Sequence, residues 1–219
     1  MITPHTFNFL QSLKRNNNKE WFQQNREKYE PAREDFHQFI SAVLEKLKAV
    51  DGDLQPIEAK KCLFRINRDI RFSNNKQPYK NNFGAFMNKG GKQAETAGYY
   101  FHLEPGNSFL AGGIWMPQPE QLHAIRQEID YNLDEFNGIV ADRKFRRYFP
   151  ELDREAELSR PPKGYDKENP ALEFLKLKSF TVTMPLDDTT LRSRQVVKSV
   201  LQAYTAMMPF VKFLNRALA

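Results

Sequence analysis

Between Pro4 and Leu47 the apolar residues recur at helical spacing. Phe7, Leu10 and Leu13 mark one face of a helix over about 4–14, with Thr3 in the N-cap position and Pro4 at its first residue. Asn16, Asn17 and Asn18 interrupt it, and Asn18 is placed to cap a second helical region starting near Lys19. Within that region Phe36, Phe39, Ile40, Val43, Leu44 and Leu47 follow the i, i+3, i+4, i+7 pattern of a helix lying on a core. Pro31 is expected to kink the region or divide it into two helices.

From about Lys61 the period shifts toward two. Strands are predicted near 61–67, 82–88, 98–104 and 109–115, joined by short Asn- and Gly-rich connections that suit antiparallel pairing. Gly112 and Gly113 inside the fourth run point to a bulge or to a close approach of another element. A helix over 119–131 carries Leu122, Ile125 and Ile129 on one face, and a short one is predicted around 142–148. Residues 159–170, rich in proline, read as loop, and 179–186 as a fifth strand. Val196, Val197, Val200, Leu201 and Tyr204 line a further helix that Pro209 is expected to break, leaving Val211, Leu214 and Leu218 on a last one. The fold class is therefore α+β: an antiparallel sheet of about five strands packed with N-terminal and C-terminal helices. One domain over 1–219 is expected, with a helical N-terminal segment over residues 1–55, a sheet region over 60–116 and a C-terminal segment of helices and a strand over 119–219.

Charge alters this picture because it is localised. Residues 60–92 hold nine Lys or Arg against Asp69 alone, so this segment carries +8 while the rest of the chain sums to −2. Such a segment steers anions, whether phosphorylated metabolites, nucleic acid or acidic proteins. Its plainer use is a solvated, lysine-decorated sheet edge. Cys62 is the one cysteine, no secretory leader pattern opens the chain, and nowhere do 18 apolar residues follow one another. These features suit a cytoplasmic protein without a disulfide framework or a membrane span.

The stretch LFRINRDIRFSNNKQPYK brings Arg65, Arg68, Asp69, Arg71, Lys76, Tyr79 and Lys80 within sixteen residues. As a strand it would put Arg68 in the apolar stripe of Phe64, Ile66, Ile70 and Phe72; as a helix it would bring Arg65 and Arg68 together. Arginine forks match phosphate and carboxylate oxygens, so Arg65, Arg68, Arg71, Lys76 and Lys80, with a hydrogen bond from Tyr79, form a candidate site for a small phosphorylated or carboxylated anion. Asp69 either orients a neighbouring arginine or acts as a general base. His102, which alternation places opposite Tyr99, Phe101 and Leu103 and beside Tyr100 and Glu104, is a second candidate acid or base. A nucleic-acid-binding module is the alternative, since Phe72, Tyr79, Phe83 and Phe86 interleave with the cations. A structural or interaction protein, with the cluster as a buried ion-pair network, is another.

His5, His37 and His123 lack metal-ligand spacing, so neither a metal nor a cofactor is expected. Cys62 reads as a small buried strand residue rather than a nucleophile, and Trp115 as core or as the wall of a pocket. None of the familiar phosphate-loop, dinucleotide, serine-hydrolase or zinc-protease motifs is present.

The spacing Arg65, Arg68, Asp69, Arg71, Phe72, Lys76, Tyr79 matches R-x-x-R-D-x-R-F-x-x-x-K-x-x-Y without a departure. On this motif, and on NNNKEWF (16–22), GYYFHLEP, GGIWMP, PPKGY and LKSF, the chain resembles a family of conserved proteins found in bacteria and some fungi. The resemblance covers nearly the whole chain. That family is a domain of unknown function, so the resemblance implies no activity.

Overall fold

The computed structural model describes residues 1–92 and 94–219. Helix α1 (Pro4–Arg15) opens the chain, and its Phe7, Leu10 and Leu13 are buried as their spacing requires. Thr3 occupies the N-cap position, but its hydroxyl donates to Asp35 Oδ2 at 2.9 Å instead of capping α1. Asn18 does cap α2 (Lys19–Gln24), accepting from the Trp21 amide at 2.9 Å. The break in the long helical region falls at Asn25, not at Pro31, which lies inside α3 (Arg26–Lys48). A proline there costs about 3 kcal/mol, whereas each fully buried Phe, Ile or Leu returns about 1.5–3. The six apolar residues Phe36, Phe39, Ile40, Val43, Leu44 and Leu47 are all buried, which settles the balance.

After a 3₁₀ turn over Gly52–Leu54 the chain forms the short helix α4 (Ala59–Cys62) where a strand was expected. Residues 63–67 meet their neighbours only at isolated bridges, Leu63 with Ala85 and Asn67 with Tyr79. The Arg68 amide donates to the Pro78 carbonyl at 2.9 Å and the Lys80 amide to the Ile66 carbonyl at 2.8 Å. Pro78 has no N–H to extend this pairing, and cations crowd the segment, so residues 68–78 leave the sheet as an excursion.

Among the described residues the sheet therefore has four strands: β1 (Phe83–Asn88), β2 (Gly98–Leu103), β3 (Ser108–Ile114) and β4 (Phe180–Leu186), in that order and all antiparallel. Between β3 and β4 run α5 (Pro119–Tyr131), α6 (Leu133–Ala141), α7 (Arg143–Tyr148) and α8 (Leu172–Leu175). After β4 come α9 (Asp188–Arg192) and α10 (Val196–Arg216). Helix α10 runs unbroken through Pro209, because Met207, Phe210, Val211 and Leu214 are buried on both sides of the proline.

One face of the sheet carries Phe83, Ala85, Met87, Tyr99, Phe101, Leu103, Leu110 and Val182, all buried. Helices α3 and α10 cover it, and the buried side chains from Ile2 to Leu214 form one contiguous cluster. At Gly112 a Cβ would collide with Met207 of α10, and Gly113 has φ +110°; this close approach is why two glycines interrupt β3. The other face is open. Across it the pairing register lays Phe86, Tyr100, Ala111 and Thr183 in one row, and Gly84, His102 and Phe109 in the next. Among the described residues no helix is long and apolar enough to cross a membrane.

Candidate functional site

The arginine motif folds as an excursion beside β1, not as a strand stripe or a helix. Arg71 and Asp69 are exposed and paired twice, Nε to Oδ1 at 3.0 Å and Nη2 to Oδ2 at 2.6 Å. Hydrogen bonds from the Arg71 side chain and amide hold the Asp69 carboxyl below the usual range, so it stays ionised. The half-buried Arg68 donates to the Gln77 carbonyl at 3.3 Å and to Ser73 Oγ at 3.4 Å. Lys76 Nζ donates to the Ile70 carbonyl at 3.2 Å. These four side chains thus tie the excursion to itself. At its tip Phe72 is 95% exposed, with the Arg71 guanidinium 5.7 Å from its ring centre.

Tyr79, only 8% exposed, stacks on Phe22 with ring centres 4.0 Å apart. Its backbone is clasped by Asn17, whose Oδ1 accepts from the Tyr79 amide at 3.1 Å. The Asn17 Nδ2 donates to the Tyr79 carbonyl at 2.9 Å and to Asn81 Oδ1 at 2.7 Å. Asn17 therefore fastens the end of the motif, and Lys80 with it, to the turn between α1 and α2. Nothing in the sequence marked this partner, sixty-two residues away.

Lys80 and Lys92 gather around one ring, with Arg65 nearby, and Lys92 Nζ also donates to the Leu63 carbonyl. Lys80 Nζ lies 5.2 Å and Lys92 Nζ 5.8 Å from the centre of Phe64, and Arg65 is close enough to act on Lys80. Among the described residues none of the three cations makes a salt bridge. Burial, then the Arg65 and Lys92 charges, push the Lys80 ammonium below its ordinary pKa. Lys92 lay within the basic segment but outside the motif, so spacing did not single it out.

Phe64 is also one wall of a groove of about 780 Å³ over the open face of the sheet. The row Phe86, Tyr100, Ala111 and Thr183 forms its floor, joined by Phe109 and Thr181. The volume lies within the range of about 300–1,000 Å³ usual for small-molecule sites. Trp115, 76% exposed, and Met116 also line it. Met116 has φ +46°, a left-handed conformation that a long side chain adopts at a cost, and Ser179 Oγ accepts its amide at 2.9 Å. Asp153 and Glu155 border the groove beyond β4, again without a salt-bridge partner among the described residues. The carboxylates that line the groove are Glu95, Asp153 and Glu155, while Lys80 and Lys92 lie beside the Phe64 ring outside that lining.

On the floor the Tyr100 hydroxyl donates to His102 Nδ1 at 3.0 Å, and His102 Nε2 faces Glu104 Oε2 at 3.4 Å. Asn82 Nδ2 also reaches Nδ1, at 3.3 Å, so Nδ1 is the acceptor and Nε2 carries the proton in the neutral ring. Phe109 stacks on the imidazole at 4.5 Å, and Lys14 pairs with Glu104 at 2.9 Å. Burial pushes the Tyr100 pKa up to about 12 and lowers that of His102, with Glu104 partly opposing the latter. Tyr100, His102 and Glu104 thus form one continuous hydrogen-bonded chain running from the groove floor to Lys14. His102 does lie on the face opposite Tyr99, Phe101 and Leu103.

Cys62 closes a short helix rather than lying in a strand, and burial pushes its thiol up to about 11, where it is inert. His5 faces the Lys28 carbonyl and His37 faces Glu34. Among the described residues no group of His, Cys, Asp and Glu is arranged to hold a metal ion.

The architecture defines an α+β protein with an antiparallel sheet covered by helices on one face and bearing a groove on the other. The chain belongs to a family of conserved hypothetical proteins, DUF2461, whose profile matches residues 5–213. Comparisons with curated proteins and with solved structures found no match.

Proposed function

We propose that the protein binds a small phosphorylated or carboxylated ligand beside Phe64, at the edge of the groove, with the anionic group held by Arg65, Lys80 and Lys92. The observation that carries this reading is the pair of ammonium groups, Lys80 and Lys92, beside Phe64 without a salt bridge among the described residues, with Arg65 close enough to act on Lys80. Like charges beside the half-buried Lys80 ammonium are destabilising unless something offsets them, and an anion does so. In this reading Arg68, Asp69, Arg71 and Lys76 brace the excursion, Tyr79 anchors it, and the Tyr100–His102 pair offers turnover an acid or base. Nucleic-acid binding is a second reading, supported by exposed Phe72 beside Arg71.

Thermal unfolding with inorganic phosphate, citrate and a short single-stranded RNA tests both. A ligand at a hundred times its Kd adds about 2.7 kcal/mol, roughly 5–10 °C for a chain of this length. The expected result is a shift with a small anion that Lys80→Met abolishes and Arg71→Ala leaves in place. A shift with RNA alone, falling steeply with salt, would transfer the function to nucleic acid.

A further inference from the structure

The groove combines aromatic rings with three carboxylates, and among the described residues no Lys, Arg or His lines it. We infer that the groove binds a small organic cation: an amine whose apolar body lies over Tyr100 and Phe109 and whose ammonium faces Trp115 and the carboxylates of Glu95, Asp153 and Glu155. This site is separate from the anion site beside Phe64 and does not depend on it.

The pairing register gives the groove its polarity. Gly98, Gly113 and Thr181 pair in one row across β2, β3 and β4. Glu95 precedes the start of β2, Trp115 follows the end of β3, and Ser179 precedes the start of β4, so all three stand at that end of the sheet. Glu155 joins them. The Asp153 amide donates to the Thr181 carbonyl at 2.9 Å and the Lys178 amide to the Ala156 carbonyl at 3.0 Å, which sets Glu155 beside Ser179. Phe64 lies toward the opposite end, its amide donating to the Gly84 carbonyl at 3.0 Å in the row of His102 and Phe109. Four residues at about 3.3 Å each put the two rows about 13 Å apart. Lys80 and Lys92 already flank the Phe64 ring, so a further cation is repelled there and drawn to the Trp115 end.

The carboxylates are left over by their own neighbours. Arg154, between Asp153 and Glu155 in the chain, pairs with Glu157 at 3.4 Å and with Glu173 at 3.2 Å, and Lys176 pairs with Glu157 at 3.2 Å. Asp153 accepts from Thr183 Oγ1 at 2.9 Å, and among the described residues none of the three groove carboxylates makes a salt bridge. The backbone of Glu95 is fixed, its carbonyl accepting from Gln121 Nε2 at 2.6 Å. These carboxylates stand apart along the rim instead of converging on a point, an arrangement for a diffuse organic cation and not for a metal ion.

Aromatic rings supply the rest. An ammonium within about 6 Å of a ring centre is attracted by the negative face, most strongly by tryptophan, and Trp115 is open to receive one. Tyr100 lies 5.8 Å from Phe109 and 6.2 Å from Phe64, which gives the apolar body a continuous surface. The Tyr100 hydroxyl gives its proton to His102 Nδ1 at 3.0 Å, so its oxygen offers a ligand only lone pairs. A neutral molecule of the same shape would gain the burial without the charge, and an anion would meet the carboxylates.

These differences define the experiment. The protein would be titrated with phenethylamine, its neutral analogue phenethyl alcohol and its anionic analogue phenylacetate, followed by calorimetry and by the NMR signals of its two indole N–H groups. Trp115→Phe assigns those signals. Phenethylamine is expected to bind about tenfold or more tightly than the alcohol, with phenylacetate weakest, and to move the Trp115 signal but not that of Trp21. The variant Glu95→Gln/Asp153→Asn/Glu155→Gln keeps the shape of each side chain, and should bring the amine down to the alcohol while leaving the alcohol unchanged. Lys80→Met, which removes the anion site, should not weaken the amine.

Equal affinity for amine and alcohol, with the amide variant inert, would reduce the groove to an apolar surface and overturn the inference. Tightest binding of phenylacetate, lost in Lys80→Met, would give the groove to the anion site instead. If none of the three binds and neither indole moves, the cation site falls while the anion site is still tested by phosphate. A blocked peptide carrying lysine beside phenylalanine, bound more than about a hundredfold tighter than phenethylamine, would overturn the free amine in favour of a protein segment.

Discussion

Asn17 is the side chain on which the placement of the basic motif most directly depends, and replacing it gives a worked test. Asn17→Ala removes three hydrogen bonds, at 3.1, 2.9 and 2.7 Å, that join the turn before α2 to Tyr79 and Asn81. At about 0.5–1.5 kcal/mol net for each, with a half-buried amide and carbonyl left unpaired, the expected loss is about 2–4 kcal/mol. For a chain of 219 residues that corresponds to a fall of roughly 5–12 °C in Tm. Asn17→Asp keeps the acceptor for the Tyr79 amide and loses both donors, so it should fall between wild type and alanine. The assays are thermal unfolding and amide hydrogen exchange, in which the Tyr79 and Lys80 amides should exchange faster in Asn17→Ala while those of β2 and β3 do not. A Tm within about 1 °C of wild type, with exchange unchanged, would refute the claim that this amide holds the motif in place.

Tyr99→Phe tests the buried polar contact beneath the sheet. Asp51 is 3% exposed and accepts from the Tyr99 hydroxyl at 2.7 Å, so the variant should lose about 1.5–3 kcal/mol in chemical denaturation; a change below about 0.5 kcal/mol would contradict that. Lys80 makes the anion site pH-dependent. Since burial and its cationic neighbours depress its folded pKa, it should lose its proton below the ordinary lysine value of about 10.4. Affinity for sulfate, whose charge is constant, should therefore fall as pH rises through the alkaline range, and Lys80→Met should flatten that region of the profile. The same sign applies to stability: charged Lys80 opposes folding below its folded pKa, and this opposition fades above it, the reverse of a lysine gaining an ion-pair partner.

Much of the scaffold follows from patterning alone. The apolar series Phe36 to Leu47 buried itself as its spacing requires, and alternation in β2 correctly divided Tyr99, Phe101 and Leu103 from Tyr100 and His102. Helix α5 spans Pro119–Tyr131, where its periodicity placed it. These features are local: one face of a helix or strand is apolar because one face meets a core. Where several elements compete, local rules fail. Pro31 and Pro209 are helix breakers in isolation, yet burial after Pro31 and on both sides of Pro209 exceeds the cost of one missing hydrogen bond, so α3 and α10 continue. The stretch 61–67 has the composition of a strand but meets β1 only around Leu63 and Phe64, and its end closes on residues 78–80 instead.

The site shows the same division. The basic segment, the motif spacing and the pairing of His102 with Tyr100 and Glu104 on one face are properties of the chain. That Arg68, Asp69, Arg71 and Lys76 bind one another's neighbourhood, while Lys80 and Lys92 stand beside Phe64 without a salt bridge among the described residues, depends on how the excursion folds against β1. That Trp115 forms a groove wall with Asp153 and Glu155 across the sheet depends on which strands become neighbours. Sequence determines which groups are present and which face of its own element each takes; only the tertiary structure decides which charges meet a partner, because pairing is a relation between elements distant along the chain.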